Sequence, residues 1–453
     1  MTKRLFFASI VAALGGLLFG FDTAVISGAE GTLEMLFASQ YATLSAYLGN
    51  EGFWHGFLVA SALLGTIVGS VLFGRPADWV GRRTVLFWLA GLYFVSAVGS
   101  ALAWDAWSFI LFRFIGGLGV GGASVVSPMY IAEIAPAGFR GRMVALVQLN
   151  IVLGILLAYL SNYLIAAMDL GPLEWRWMFG VEAFPAAAFG LLLFTNPLSP
   201  RWLVAQGRIG EAKTVLAEVG TDSGRIDEEI AAIEASLETE GQGDAECFFQ
   251  RKYAAPILLA VTIAAFNQLS GINALIYYTK RIFEMAGASG ASALQQSVVI
   301  GGVNLVFTMA ALLVIDHFGR KKLMIVGSIG YIVSLSVTAA AFYWNVGGWV
   351  VLVSLIVFIA SHAFGQGAVI WVFIGEIFPN RVRARGQALG SFTHWIMAAA
   401  ISWTFPMIAA KSGAAIFAFY AACMVGQLIW VLTVMPETKG VPLEEIQRKL
   451  GIK

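Results

Sequence analysis

Long apolar runs broken by short polar punctuation dominate this chain. Charge-free stretches cover 56–74, 84–104, 114–132, 143–168, 253–279, 285–315, 386–410 and 412–436. A membrane helix needs about 20 mostly apolar residues, and each stretch is that long or close to it. The run 323–375 is too long for one span and divides at Trp344-Asn345-Val346-Gly347-Gly348. Two more runs hold a single acid each. One starts at Leu5 and passes Asp22, and the other covers about 177–195 around Glu182. The pattern predicts twelve spans in an all-α membrane protein. Lys3-Arg4 before an apolar run also fits a signal peptide. The internal Asp22 and the Gly16/Gly20 pair argue for a first span instead, as does the lack of a small-x-small cleavage site.

Composition removes the soluble alternatives. Charged residues are 12% of the chain, against about 25% in soluble domains. Apolar residues reach 59%, so the surface must face lipid, and intrinsic disorder is excluded on the same ground. The 28 basic and 27 acidic residues exert no overall pull toward nucleic acid. Cys247 and Cys423 make neither a disulfide framework nor a metal site.

Basic residues orient the spans. With both termini in the cytoplasm, Arg176, Lys280, Arg281 and Lys411 fall outside, Arg113 lies within a span, and every other Lys and Arg is inside. The first outer loop, about 28–52, has no Lys or Arg. One long hydrophilic segment, 197–252, holds 17 charged residues, and 208–219 and 226–237 read as short amphipathic helices. This segment is expected to tether two membrane halves.

An internal repeat supports two halves. Asp78-Trp-Val-Gly81-Arg82-Arg83 returns as Asp316-His-Phe-Gly319-Arg320-Lys321. Glu133, seven residues before Arg140, returns as Glu376, seven before Arg383, and Pro197 is matched by Pro436. Six spans per copy is an even number, so both copies share one orientation. A substrate site is then expected between them near the midplane. The expected divisions are a first half 1–196, a cytoplasmic linker 197–252, a second half 253–436 and a short tail 437–453. The Arg residues of the repeated turn can reach carboxylates at neighbouring helix ends. The expected cytoplasmic gate comprises Asp78, Arg82, Arg83, Glu133, Arg140, Asp316, Arg320, Glu376 and Arg383.

These motifs carry a resemblance. Gly20-Phe-Asp22-Thr-Ala-Val-Ile-Ser27-Gly28, Asp78-x-x-Gly81-Arg82-Arg83, Pro128-Met-Tyr-Ile-Ala-Glu133, Gln268-Leu-Ser-Gly271-Ile-Asn273, Trp371 with Glu376-Ile-Phe-Pro379, and Pro436-Glu-Thr-Lys-Gly440 occur in that order. The chain resembles the sugar porter family of the major facilitator superfamily over essentially its whole length. Within that family it is similar to bacterial sugar–proton symporters of the xylose-transporter type, with the mammalian glucose facilitators further off. The resemblance implies the major facilitator fold, two six-helix halves, a monosaccharide substrate (hexose or pentose) and no cofactor or enzymatic activity. Five positions depart from the family pattern. Leu198 replaces a Glu, Asn267 replaces the first of two Gln, and Ala368 replaces a Pro. His362 stands where an aromatic residue is common, and His394 stands where the xylose type has Gln.

A sugar offers hydroxyls to amides and weakly apolar ring faces to aromatics. Gln148, Asn267, Gln268, Asn273 and Asn304 are amides within spans, and Trp371 and Trp395 are aromatics. They are the expected contacts, with His362 and His394 as further cavity partners. The resemblance adds Phe19, Tyr277 and Gly367. On a continuous helix Gln268 and Asn273 would point apart, so a break at Ser270-Gly271 is expected. The alternative is that these amides bridge helices.

Asp22 and Arg113 are charges at membrane depth, where each costs several kcal/mol unless paired or wet. They are the expected proton-coupling pair, with Glu182 as a third candidate; a static salt bridge is the alternative. The four histidines show no metal spacing, and the glycines 116–122 suit close helix contact rather than phosphate binding. The expected activity is import of a monosaccharide with a proton. Passive sugar facilitation and a non-transporting sugar receptor are the alternatives. No Asn-x-Ser/Thr sequon occurs, which favours a prokaryotic inner membrane. The chain is expected to work as a monomer.

Overall fold

The computed structural model describes residues 2–48, 52–136, 138–242, 248–379, 381–441 and 443–452. Cys247 lies outside them, and so does the side chain of Asp316. Among the described residues, eleven helices or broken helices are long and apolar enough to cross a membrane. The remaining span, the eleventh in chain order, is Arg383–Ala409, 27 residues long. It is less apolar because it carries Arg, Ser, Thr and His394, and it packs closely on Gly52–Leu72 of the other half. The protein has the twelve-helix major facilitator fold.

The first span differs from expectation. Its helix does not end near residue 28 but continues as Lys3–Leu48. Residues 29–48 hold no Pro and are mostly good helix formers. Leu33, Phe37 and Tyr41, four apart, bury one stripe of the extension. The region expected to be a loop is therefore a helix end packed on the bundle.

Three spans are broken where polar groups lie. The sixth divides into Glu174–Gly180 and Ala183–Leu192, with Glu182 at the joint. The seventh divides into Ala254–Leu269, Ile272–Tyr277 and Thr279–Met285. Its expected break is present at Gly271, which has φ +85°, and a Cβ there would lie 2.5 Å from the Tyr420 ring. Only glycine combines that backbone with that contact. The tenth runs Trp349–His362, then a π-helical turn Ala363–Gly367, then Ala368–Ile377. Such turns often mark functional sites in helices.

The glycine-rich stretch of the fourth span, Ala106–Ile134, lets it approach the second. A Cβ on Gly117 would sit 1.9 Å from the Ala62 carbonyl oxygen. Gly117→Val must therefore separate two helices, at about 1–3 kcal/mol or more. The midpoint of thermal unfolding in detergent should fall by several degrees. An unchanged midpoint would contradict this packing.

The apolar core is continuous at one end and divided at the other. Away from the termini, one cluster combines Phe21, Leu33 and Tyr159 with Ile276, Tyr278, Leu355 and Phe405. At the terminal end, Leu5, Val85, Tyr130 and Met143 form one cluster. Tyr253, Leu323, Phe373 and Met435 form another. The first six and last six spans thus meet at the far end and are separate at the terminal end. The linker has its own small core, with Leu203, Ala212, Leu216 and Ile230 buried. Its helices Ile209–Val219 and Ile226–Gln242 fall where the amphipathic pattern predicts them.

Candidate functional site

The break at Gly271 gathers the expected amides. Asn273 Nδ2 donates to Gln268 Oε1 at 2.6 Å, and Gln268 Nε2 donates to Asn267 Oδ1 at 2.8 Å. Gln268 Nε2 also lies 3.2 Å from His394 Nδ1. Trp371 and Trp395 flank His394, with ring centroids at 5.2 and 4.8 Å. Phe19 of the first half meets Trp395 of the second at 5.5 Å. Trp371 is 38% exposed, and Gln148 and Phe19 are half-buried, so this surface is open. The Trp395 indole N–H is buried with no hydrogen-bond partner among the described residues. A polar ligand can satisfy it. Asn304 is buried and pairs weakly with Thr308 at 3.4 Å. Gly367 lies beside the His362 ring, whose Nε2 would be 3.1 Å from a Cβ built there. Tyr277 is buried rather than open, within electrostatic range of Asp22 and Arg113.

The two membrane charges form one buried pair. Arg113 donates through Nη1 to Asp22 Oδ1, and through Nη2 to the Asp22 carbonyl at 2.9 Å. Both residues are 1% exposed. The guanidinium also faces the Phe179 ring at 5.4 Å. Glu182, also 1% exposed, lies within electrostatic range of both. Arg113 Nε and Glu182 Oε1 are each buried and unpartnered among the described residues. The cluster thus holds two acids for one base, with unused bonding capacity on the base and on the second acid.

Among the described residues the repeated turns form ion pairs within each half. Arg82 binds Glu133 at 2.9 Å and Asp78 at 2.9 Å, and Ser199 donates to Glu133 at 2.5 Å. Arg320 binds Glu376 at 2.8 Å, and Thr438 donates to Glu376 at 2.6 Å. Three expected gate residues behave differently. Arg83 donates to the Asn196 carbonyl at 2.7 Å and lies over Phe87. Arg140 is exposed at its helix start. Arg383 Nε is buried without a partner, and no ion pair joins it to Glu376 among the described residues. Glu437 explains the closing motif of the twelfth span. It accepts N–H bonds from Arg320, Lys321, Thr438 and Lys439 at 2.9–3.0 Å. Burial pushes its carboxyl pKa up, but these four donors outweigh that and hold it below the ordinary value. In the first half, Leu198 stands at the equivalent place.

A polar cluster unforeseen in the sequence joins the halves at the far end. Arg281 binds Glu30 at 3.2 Å and Glu34 at 2.8 Å, and His55 Nε2 lies 2.9 Å from Glu30. Glu30 and His55 are 2% and 1% exposed. His55 therefore joins Glu30 and Glu34 in one group, despite its unremarkable spacing, and the Arg281 guanidinium supplies the positive charge between the two carboxylates. Tyr159 bridges to the Ile276 carbonyl and to Thr279, both at 2.8 Å, and the Lys280 N–H reaches Ser27 at 3.1 Å. The sequence signal was present in Glu30 and Glu34, four apart on what proved to be helix.

Comparison with known proteins places this geometry. Residues 8–450 match the family described as "Sugar (and other) transporter". The D-xylose-proton symporter of Escherichia coli (strain K12) is 37% identical over 98% of this chain and 96% of its own. The arabinose-proton symporter of Bacillus subtilis (strain 168) is 36% identical over 98% and 94%. Among solved structures, the inward-open xylose transporter XylE from E. coli superposes with TM-score 0.87 and 36% identity, covering 98% of this chain and 99% of that one. XylE bound to 6-bromo-6-deoxy-D-glucose gives 0.81 at 36% identity, over 99% of each. The chain belongs to the sugar transporter family of the major facilitator superfamily.

Proposed function

We infer that this protein imports a monosaccharide together with a proton by alternating access. The carrying observation is the buried Asp22–Arg113 pair, with Glu182 in electrostatic range and its Oε1 unpartnered among the described residues, on the same first span that brings Phe19 to the cavity of amides and aromatics. The relatives named above are a xylose and an arabinose symporter, which supports the same reading here. The amides Gln148, Asn267, Gln268, Asn273 and Asn304 would bond sugar hydroxyls. Trp371, Trp395 and Phe19 would cover a ring face, with His362, Gly367, His394 and Tyr277 completing the site.

Asp22, Arg113 and Glu182 would carry the coupling. With Asp22 ionised, Arg113 holds the first and fourth spans together. Protonation of Asp22 weakens that attraction and frees the guanidinium, whose unused Nε then has Glu182 Oε1 nearby. Residues 1–196 and 253–436 would rock as two bodies joined by 197–252. The divided end, which carries both termini, would face the cytoplasm of a prokaryotic inner membrane. There the two turn clusters would meet when the protein faces outward. The working unit would be a monomer.

The test is uptake into proteoliposomes across a panel of hexoses and pentoses, with and without an imposed pH gradient. Concentrative uptake of at least one sugar only with the gradient is expected. Uptake that never exceeds equilibrium would establish a passive facilitator. Gln268→Ala should weaken binding of the transported sugar by about 1–3 kcal/mol, since it strands a sugar hydroxyl and Asn273. Calorimetry showing unchanged affinity would remove Gln268 from the site.

A further inference from the structure

The second half contains a buried chain of hydrogen bonds that ends on His362, and its direction can be worked out. Ser328 Oγ donates to the Met324 carbonyl at 2.7 Å. With its hydrogen committed, Ser328 can only accept from Gln427 Nε2, also at 2.7 Å. Gln427 therefore turns Oε1 toward Gln366, which donates to it through Nε2. Gln366 Oε1 then faces Tyr331 and accepts its O–H at 3.2 Å. The Tyr331 oxygen lies 2.5 Å from His362 Nδ1. Its hydrogen is used elsewhere, so Nδ1 must bring the proton. Running the chain backwards would take the hydrogen out of the Ser328–Met324 contact and leave two oxygens facing each other at 2.7 Å.

Ser328, Tyr331, Gln366 and Gln427 are all 0% exposed. Reversing any one link would leave a buried amide oxygen without a donor, which is costly, so the chain is held as a unit. It ties the ninth span, Arg320–Tyr343, and the twelfth, Gly413–Thr433, to the π-helical turn of the tenth. The remaining ring nitrogen, Nε2, has no protein partner among the described residues and lies beside Gly367, and the ring is within electrostatic range of His394 in the cavity.

We propose that His362 meets the substrate as a hydrogen-bond acceptor through Nε2, its proton held on Nδ1 by the Ser328–Gln427–Gln366–Tyr331 chain. The site therefore selects for a hydroxyl able to donate at that point. The proposal rests on the sugar-binding reading of the cavity, while its proton assignment stands apart from any ligand. Gln427 and Tyr331 are positioning residues that act through His362.

Two measurements test it. In protein labelled with ¹⁵N-histidine, NMR reads which ring nitrogen is protonated for each of the four histidines, with His362→Phe assigning the signal. A protonated Nδ1 and bare Nε2 are expected, and Gln427→Met should scramble the two. A protonated Nε2 in the unmodified protein overturns the proposal without touching the transport reading. The second measurement is competition binding with D-glucose and D-xylose and their singly deoxy and deoxyfluoro analogues. At one ring position both replacements should lose about tenfold, because neither can donate. That loss should vanish in His362→Phe and shrink in Gln427→Met. A fluoro analogue that binds like the parent, or a Gln427→Met defect equal for every analogue, overturns it. If neither parent binds, the analogues of the sugar found by the uptake panel are used instead, and failure of every hexose and pentose in that panel to bind would overturn the transport reading.

Discussion

Asp22→Asn should abolish sugar accumulation driven by a pH gradient while leaving sugar binding intact. The substitution keeps the side chain's size and makes it permanently neutral. Removing one partner of a buried ion pair ordinarily costs about 3–5 kcal/mol, because the other charge is stranded. Here Arg113 is not wholly stranded. It keeps its bond to the residue 22 carbonyl at 2.9 Å and its contact with Phe179, and Glu182 lies within electrostatic range. The Asp22→Asn protein should therefore fold, resembling the protonated carrier. The amides at Gln268 and Asn273 do not touch Asp22, so affinity should persist. Sugar counterflow, which needs no net proton movement, should survive in part. Arg113→Lys should be poorly tolerated, since a compact ammonium cannot replace the two-pronged guanidinium. Concentrative uptake by Asp22→Asn in sealed vesicles, with only a proton gradient supplied, would place the coupling elsewhere.

Arg281→Met should open the far end. Arg281 spans the halves to Glu30 and Glu34, so its loss leaves two carboxylates sharing His55 in a largely buried place. Like charges so placed repel, and separation of the halves lets water reach them. A shift of tenfold or more in the balance between closed and open states is expected, which corresponds to about 1.4 kcal/mol. Met35 and Ala291 are exposed near that end, one on each half. Spin labels on Met35→Cys and Ala291→Cys, with Cys247 and Cys423 replaced by Ser, report their separation. A longer-distance population should appear with Arg281→Met. An unchanged distribution would show that apolar packing alone closes this end.

The contrast between these two clusters shows what was readable in the chain. Asp22, Arg113 and Glu182 stand out because a charge inside an apolar run has no cheap explanation. Their meeting on neighbouring spans needed only the helix order. Glu30 and Glu34 lie just past the point where the first apolar run weakens, so they read as loop. The helix extends because Leu33, Phe37 and Tyr41 bury a stripe there. The break at Gly271 was legible from Ser-Gly between two amides. The gate turns were legible as motifs and in part as pairings. The turn arginines were expected to reach carboxylates at neighbouring helix ends, and Arg82 and Arg320 bind Glu133 and Glu376; Arg140 and Arg383, chosen by the same spacing, make no such pair among the described residues. Gln366 and Gln427 were invisible, since a lone amide in an apolar run does not announce a partner 61 residues away.

Proton movement itself tests the central claim most directly. Purified protein in lightly buffered proteoliposomes, with no gradient imposed, is given its transported sugar from outside while external pH is recorded. Sugar entering with a proton should make the outside more alkaline, in proportion to the sugar taken up, and Asp22→Asn should show none of this. Sugar uptake with no pH change in the unmodified protein would contradict proton coupling and leave Asp22–Arg113 as a structural pair.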